Sequence, residues 1–375
     1  MSAFENAGAV EEPLNPAPKT LPLRALRPKK ADRPATRSKA RERLVRAALI
    51  AAFVAIVLLS LGVGHYAMSL DVVFRTVWET ITGTLDAQGK ISASMLYQVR
   101  LPRIVLAGLV GAALAASGAC YQGIMKNPLV SPDILGVSNG ASLGAVIAIF
   151  FGLGSGAVQL LAFGFGLLTV FLVTAASRAI GRGSDNIVIM ILCGVVMSSL
   201  FSAFVSLLTY LADTDTQLPE ITYWIMGSFA RTSSTSSLVT LFVVFLVGII
   251  PLLCIRWQIN ALAFGDEEAR AMGVNVRRTR GVIICCATLL TSVSVSFCGV
   301  VGWVGLIVPH MVRLLSGPNY QTLLPDAMLG GAAFMILVDI FARGFTAELP
   351  LSVVTAIVGA PLFLWMLFRG RKDWL

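Results

Sequence analysis

The stretch ILGVSNGASLGAVIAIFFGLGSGAVQLLAFGFGLLTVFLVTAAS, Ile134 to Ser177, runs through 44 residues without an Asp, Glu, Lys or Arg. A helix rises 1.5 Å per residue, so roughly 20 apolar residues cross a hydrocarbon core of about 30 Å. The stretch is therefore too long for one crossing. Gly152, Gly154 and Gly156 interrupt it near the middle, which predicts two helices joined by a tight turn, a membrane hairpin.

An ionised side chain at the bilayer centre costs at least about 2.5–3.5 kcal/mol, so charge-free windows mark the spans. The others are 47–70, 104–125, 187–212, 232–255, 281–312, 327–338 and 349–368. The window 281–312 exceeds one span and falls short of two. With Gly299, Gly302 and Gly305 inside it, it reads as one full helix and one short or tilted helix. The short window before Asp339 reaches full length through Leu323, Leu324, Ile340 and Phe341, and Asp339 and Arg343, spaced i, i+4, are placed to pair near its end. The count is ten spans in an all-α polytopic membrane protein.

Composition agrees: 56% hydrophobic and 13% charged residues, with 34 glycines and a mean hydropathy of +0.81, lie outside the range of soluble domains and argue against disorder, a disulfide scaffold or a soluble enzyme. The net charge of +9 is an orientation signal rather than a nucleic-acid footprint. With ten spans both termini share a side. Twenty-three of the 29 Lys and Arg then fall on the side of the N-terminus, leaving Arg75, Lys90, Arg100, Arg103, Arg231 and Arg343 on the other. The positive-inside bias makes both termini cytoplasmic. Residues 1–46 hold six of the 16 prolines and a basic run from Lys29 to Arg46, and read as a disordered cytoplasmic tail ahead of a membrane domain at 47–370. Their basic region is too long for a secretory signal, and no convincing cleavage site follows.

His65 and His310 are the two histidines, too few for a His-rich metal centre. The six cysteines lie in apolar windows without CxxC spacing and read as small buried apolar residues, and Gly89-Lys90 lacks the upstream glycine of a P-loop. No cofactor is expected. Apart from Asp339 and Arg343 the spans offer almost no ionisable group for a proton-coupled carrier, and no acid/base or nucleophile constellation appears. A transport subunit powered from elsewhere is the expectation; a self-sufficient channel or secondary carrier is the alternative.

The longest loop on the cytoplasmic side, 256–280, contains Phe264-Gly265-Asp266-Glu267-Glu268-Ala269-Arg270-Ala271-Met272-Gly273-Val274. Acids at its start and a glycine at its end predict a compact surface helix. This segment resembles the coupling-helix motif of permease subunits of type II ABC importers, the FecCD group that carries iron-siderophores, haem and cobalamin. Further blocks agree in order: Arg100-Leu101-Pro102-Arg103; Asn127-Pro128-Leu129 with Pro132 to Gly140; Tyr223-Trp224-Ile225-Met226-Gly227; Gly302 to His310; Asp339 to Arg343; and Glu348-Leu349-Pro350 with Gly359-Ala360-Pro361. The resemblance spans about residues 47 to 370. It departs at Met272, where Leu is usual, and in the longer N-terminal tail.

The resemblance implies ten helices, a second permease subunit (identical or a sister chain), a separate ATP-binding cassette ATPase, and an extracytoplasmic substrate-binding protein, all at a bacterial inner membrane. It implies that Arg100, Arg103 and Arg343 at the outer rim dock the binding protein. It makes Gly265, Asp266, Glu267, Glu268, Ala269, Arg270 and Gly273 the ATPase-coupling helix. It puts a cytoplasmic gate at Asn127 and Leu129, with Ser184 and Asn186 at a second constriction. The cargo it implies is a ferric siderophore, with haem, cobalamin or an oxyanion as alternatives.

Overall fold

The structure, a computed structural model, describes residues 39–64, 68–181, 187–230, 235–345 and 348–374. Among them lie fifteen α-helices and no strand. Seven are long and apolar enough to cross a membrane, and three shorter apolar helices accompany them.

The ten correspond one for one to the windows: α1 (Lys39–Gly62), α4 (Leu101–Ile124), α5 (Val137–Phe150), α6 (Gly154–Ile180), α7 (Ile187–Leu211), α9 (Thr235–Cys254), α12 (Val276–Cys298), α13 (Val304–Ser316), α14 (Tyr320–Arg343) and α15 (Leu351–Trp374). The opening stretch is the hairpin of α5 and α6. Gly152 and Gly154 take φ of 65° and 80°, left-handed values that suit glycine and turn the chain between the two helices. The long window near residue 300 breaks into α12 and the 13-residue α13, with Trp303 at φ 71° closing the break.

Helix α1 begins eight residues before the expected first span. Ala40, Glu42 and Leu44 favour helix, and the basic side chains near its start can reach out of the apolar layer. Arg46 Nε lies 3.0 Å from Asp326 of α14. Residues 1–38, most of the expected tail, lie outside the described residues.

Helices absent from the window count carry charge or are short: α2 (Leu70–Thr82), α3 (Ala87–Ser94), α8 (Gln217–Met226), α10 (Arg256–Phe264) and α11 (Asp266–Ala271). In α2, Val73 and Thr76 are buried while Phe74, Trp78 and Ile81 are exposed, the division of a helix lying along a membrane interface.

Helix α4 forms the axis of the bundle, buried from Val110 to Ile124. Its small residues let neighbouring backbones approach closely. Ser117 Oγ donates to Ala287 O of α12 at 2.9 Å and lies 2.8 Å from Thr291 Oγ1; the Tyr121 hydroxyl lies 2.9 Å from Thr288 Oγ1. Its 24 residues rise about 36 Å, so Arg100 before it and Lys126 after it mark opposite ends of the bundle. Cys120, Cys193 and Cys298 are buried as expected, but Cys254 and Cys285 are exposed on the bundle's apolar flank, where a span's outer face carries small apolar side chains as readily as its core.

Candidate functional site

At one end, α11 stands out from the bundle. Gly265 (φ 158°) breaks the chain after α10, and the Glu268 carboxylate folds back over it. Three acids fill the first turn, where the helix dipole favours them. After Ala271, Gly273 turns at φ 82° while Val274 N donates to Ala269 O at 2.9 Å, closing the helix as its glycine predicts. Ala269 is fully buried and seats the helix; Phe264, Glu267, Glu268, Arg270 and Met272 project outward.

Asp266 ties α11 down. Its two carboxylate oxygens accept from Arg280 Nη2 at 2.9 and 3.0 Å, and Lys126 Nζ lies 3.8 Å away. Lys126 (φ 51°) opens the loop after α4 that holds the expected gate. There Asn127 Oδ1 accepts from Leu129 N at 2.9 Å, and Asn127 N donates to Gln122 O at 3.2 Å. Helix α11 and the loop of Asn127 and Leu129 are thus one ion pair apart. Lys126 and Arg280 belong to this site, and neither is part of the motif that marks α11 in the sequence. Behind the loop, Tyr320 OH donates to Ala119 O and accepts from Arg313 Nη2, both at 2.9 Å, bracing α4, α13 and α14. Ser184 and Asn186, the second expected constriction, lie outside the described residues.

At the opposite end the three expected docking arginines meet in one largely buried network. Arg103 Nε donates to Asp339 Oδ1 at 2.7 Å and its Nη2 to Glu348 Oε1 at 2.6 Å. Arg343 Nε lies 3.0 Å from the other Asp339 oxygen, the expected i, i+4 pair, and its Nη2 donates to Ser60 Oγ at 2.6 Å. Arg100 donates to Leu61 O. Asp339 is 0% exposed, Arg100 4% and Arg343 8%. None of the three arginines projects freely as a rim contact does. The sorting of charges and the resemblance put them together at one end but do not show that Asp339 and Glu348 hold Arg103 and Arg343. Glu348, the most accessible member, also accepts from Ser228 Oγ at 3.1 Å. Burial pushes its carboxyl upward, yet the Arg103 guanidinium and Ser228 hydroxyl outweigh this and hold it below the usual carboxylate range. Three guanidiniums against two carboxylates leave the network one positive charge in excess. Among the described residues no group of three or more His, Cys, Asp or Glu could hold a metal ion.

The model of the FecCD transport family matches residues 52–369. The chain belongs to the FecCD transport family. Among FecCD relatives, the molybdate import system permease protein MolB of Haemophilus influenzae is 42% identical over 319 residues, 84% of this chain and 92% of its own length. The hemin transport system permease protein HmuU of Yersinia pestis is 37% identical over 339 residues, 88% of this chain and 98% of its own. A solved inward-facing structure, assigned to the metal-chelate type of ABC transporter, superposes with a TM-score of 0.77 at 40% identity, covering 87% of this chain and 99% of that one. The protein is accordingly an ABC importer permease of the FecCD type, a multi-pass membrane protein.

Proposed function

We propose that this FecCD permease imports a ferric siderophore across a bacterial inner membrane, driven by a separate ATPase that grips α11, with both termini and α11 on the cytoplasmic side. The observation that carries the coupling role is the outward face of Glu267, Glu268, Arg270 and Met272 on a helix whose inner face is clamped by Arg280 and Lys126. A push on that face reaches Lys126, and through it the loop of Asn127 and Leu129. ATP binding and hydrolysis tilt the bundle and alternately open its two ends; the second permease subunit completes the path.

Reversing charge at Glu268→Arg or Arg270→Glu is expected to reduce solute uptake by proteoliposomes at least tenfold while ATP hydrolysis by the assembled complex continues. Undiminished uptake would remove α11 from the coupling role. Accumulation by the permease without its ATPase would point instead to a self-sufficient channel or carrier.

The charge excess at the opposite end supports docking of an acidic surface of an extracytoplasmic binding protein. Since Arg103 is held by Glu348, the partner's carboxylate displaces Glu348 rather than meeting a free arginine. In the same liposomes Arg103→Glu should abolish stimulation by the binding protein and leave basal hydrolysis in place; normal stimulation would rule the site out.

The haemin relative and the metal-chelate structure support an iron chelate as cargo. A second reading, an oxyanion, is favoured by the 42% identity to a molybdate permease. Uptake of radiolabelled ferric siderophore against molybdate, each with the cognate binding protein, separates the two.

A further inference from the structure

Between α6, α9 and α12 lies a cavity of about 660 Å³ that none of these roles uses. Leu167, Val170, Ile284 and Leu289 give it apolar walls. Exposed Phe171, Val247 and Cys285 rim it, so it opens sideways on an apolar flank of the bundle. Arg178, from the last turn of α6, and Arg277 and Arg280, from the start of α12, also line it. All three belong to the end of the bundle that carries α11.

This arrangement has the chemistry of an amphiphile site with an anionic head. Apolar walls that open toward lipid admit acyl chains, and guanidiniums at headgroup depth select phosphate, which they bind in a bidentate fork. Basic pockets between spanning helices recognise acidic lipid heads in this way. A second observation is independent of the cavity's shape. Arg280 is 5% exposed; its Nη2 holds Asp266, but its Nε is buried and meets no acceptor among the described residues. A buried donor of this kind calls for a partner, and an anionic oxygen entering from the cavity would supply one.

We infer that an anionic phospholipid of the leaflet at the α11 end occupies this cavity, its acyl chain along α6, α9 and α12 and its phosphate on Arg178, Arg277 and Arg280. Because Arg280 also holds the first residue of α11, the lipid stands one ion pair from the coupling helix and tunes how firmly that helix is held. The inference does not depend on which solute is carried.

The full chain, purified in an uncharged detergent, is titrated with phosphatidylglycerol or with phosphatidylcholine of the same acyl chains. Retained lipid is read by native mass spectrometry and stability by thermal unfolding. Phosphatidylglycerol should be retained at one per chain and raise Tm saturably, whereas phosphatidylcholine should do neither at the same concentrations. The double variant Arg178→Gln, Arg277→Gln should weaken retention at least tenfold. Gly281→Leu tests the cavity without touching its charges: nothing lies within 4 Å of a Cβ at Gly281, which lines the wall, so the leucine fills space a chain would take and retention should fall comparably. Arg278→Gln, next to Arg277 but outside the cavity, should retain lipid as the unaltered protein does, and together with Gly281→Leu it decides the matter if the double variant does not fold. Equal retention of the two lipids, retention of neither, or undiminished phosphatidylglycerol binding by Gly281→Leu would each overturn the assignment.

Discussion

Replacing Asp339 with Asn is expected to lower the stability of the purified protein by about 3–5 kcal/mol, the cost of removing one partner from a buried ion pair. Asp339 sits fully buried on α14, with Arg103 Nε 2.7 Å from one oxygen and Arg343 Nε 3.0 Å from the other. Asn keeps the shape and removes the charge, leaving two guanidiniums in a dry site beside Arg100. Glu348 can compensate Arg103, which it already reaches, and does little for Arg343, whose hydrogen bonds go to the neutral oxygens of Ser60 and to the Asp339 carbonyl. Denaturant unfolding in detergent measures the loss. A companion Arg343→Met in the Asp339→Asn background should recover part of it, because the uncompensated charge is then gone. If Asp339→Asn unfolds at the same midpoint as the unaltered chain, the network is hydrated and its arginines are free to meet a partner directly, which would also recast the docking proposal.

The second large effect belongs to the axis of the bundle. A Cβ at Gly118 would lie 1.8 Å from Gly305 O and 2.6 Å from Gly305 C. The obstacle is backbone, so no rotamer change relieves it, and α4 and α13 would have to separate over their whole crossing. Gly118→Ala is expected to cost at least the upper end of the roughly 1–3 kcal/mol of ordinary overpacking, and Gly118→Val to leave little folded protein. Gly164→Ala on α6 is the matched control, since nothing lies within 4 Å of a Cβ there; it should be neutral or slightly stabilising, as alanine is the better helix former by about 1 kcal/mol. Yield of monodisperse protein and thermal midpoint report the difference. A Gly118→Ala protein as stable as Gly164→Ala would mean that the two helices cross farther apart than described.

Legibility in the sequence followed the physics of each element. The spans were readable because the bilayer imposes length and charge limits on a contiguous run, and the breaks at Gly152 and around Gly302 were readable because glycine marks where a helix stops. α2, with Asp71, Arg75 and Glu79, and the short α8 and α10 escaped that test, since helices at an interface or a bundle end need neither length nor freedom from charge. The compact helix at 266–271 was visible through its own caps. Lys126 and Arg280 are not legible as its anchors: Lys126 comes from the loop after α4, far away in the chain, and Arg280, though 14 residues from Asp266, sits on a different helix with no i, i+3 or i, i+4 relation to it. Charge sorting and the resemblance put Arg100, Arg103 and Arg343 at one end, but their burial depends on α1, α4, α14 and the Glu348 segment converging.

By itself the sequence determined that this chain crosses a membrane about ten times, which windows do so, and that its charges are sorted between two ends. Each of these is a property of a contiguous run read against the cost of burying charge in hydrocarbon. Only the tertiary structure decided that α4 is the buried axis, that Arg103 and Arg343 are held by their own chain's acids, and that α11, the loop after α4 and a basic apolar cavity meet through Lys126, Asp266 and Arg280. Those are facts of convergence, set by which small residues let which backbones touch, and no run of neighbouring residues contains them.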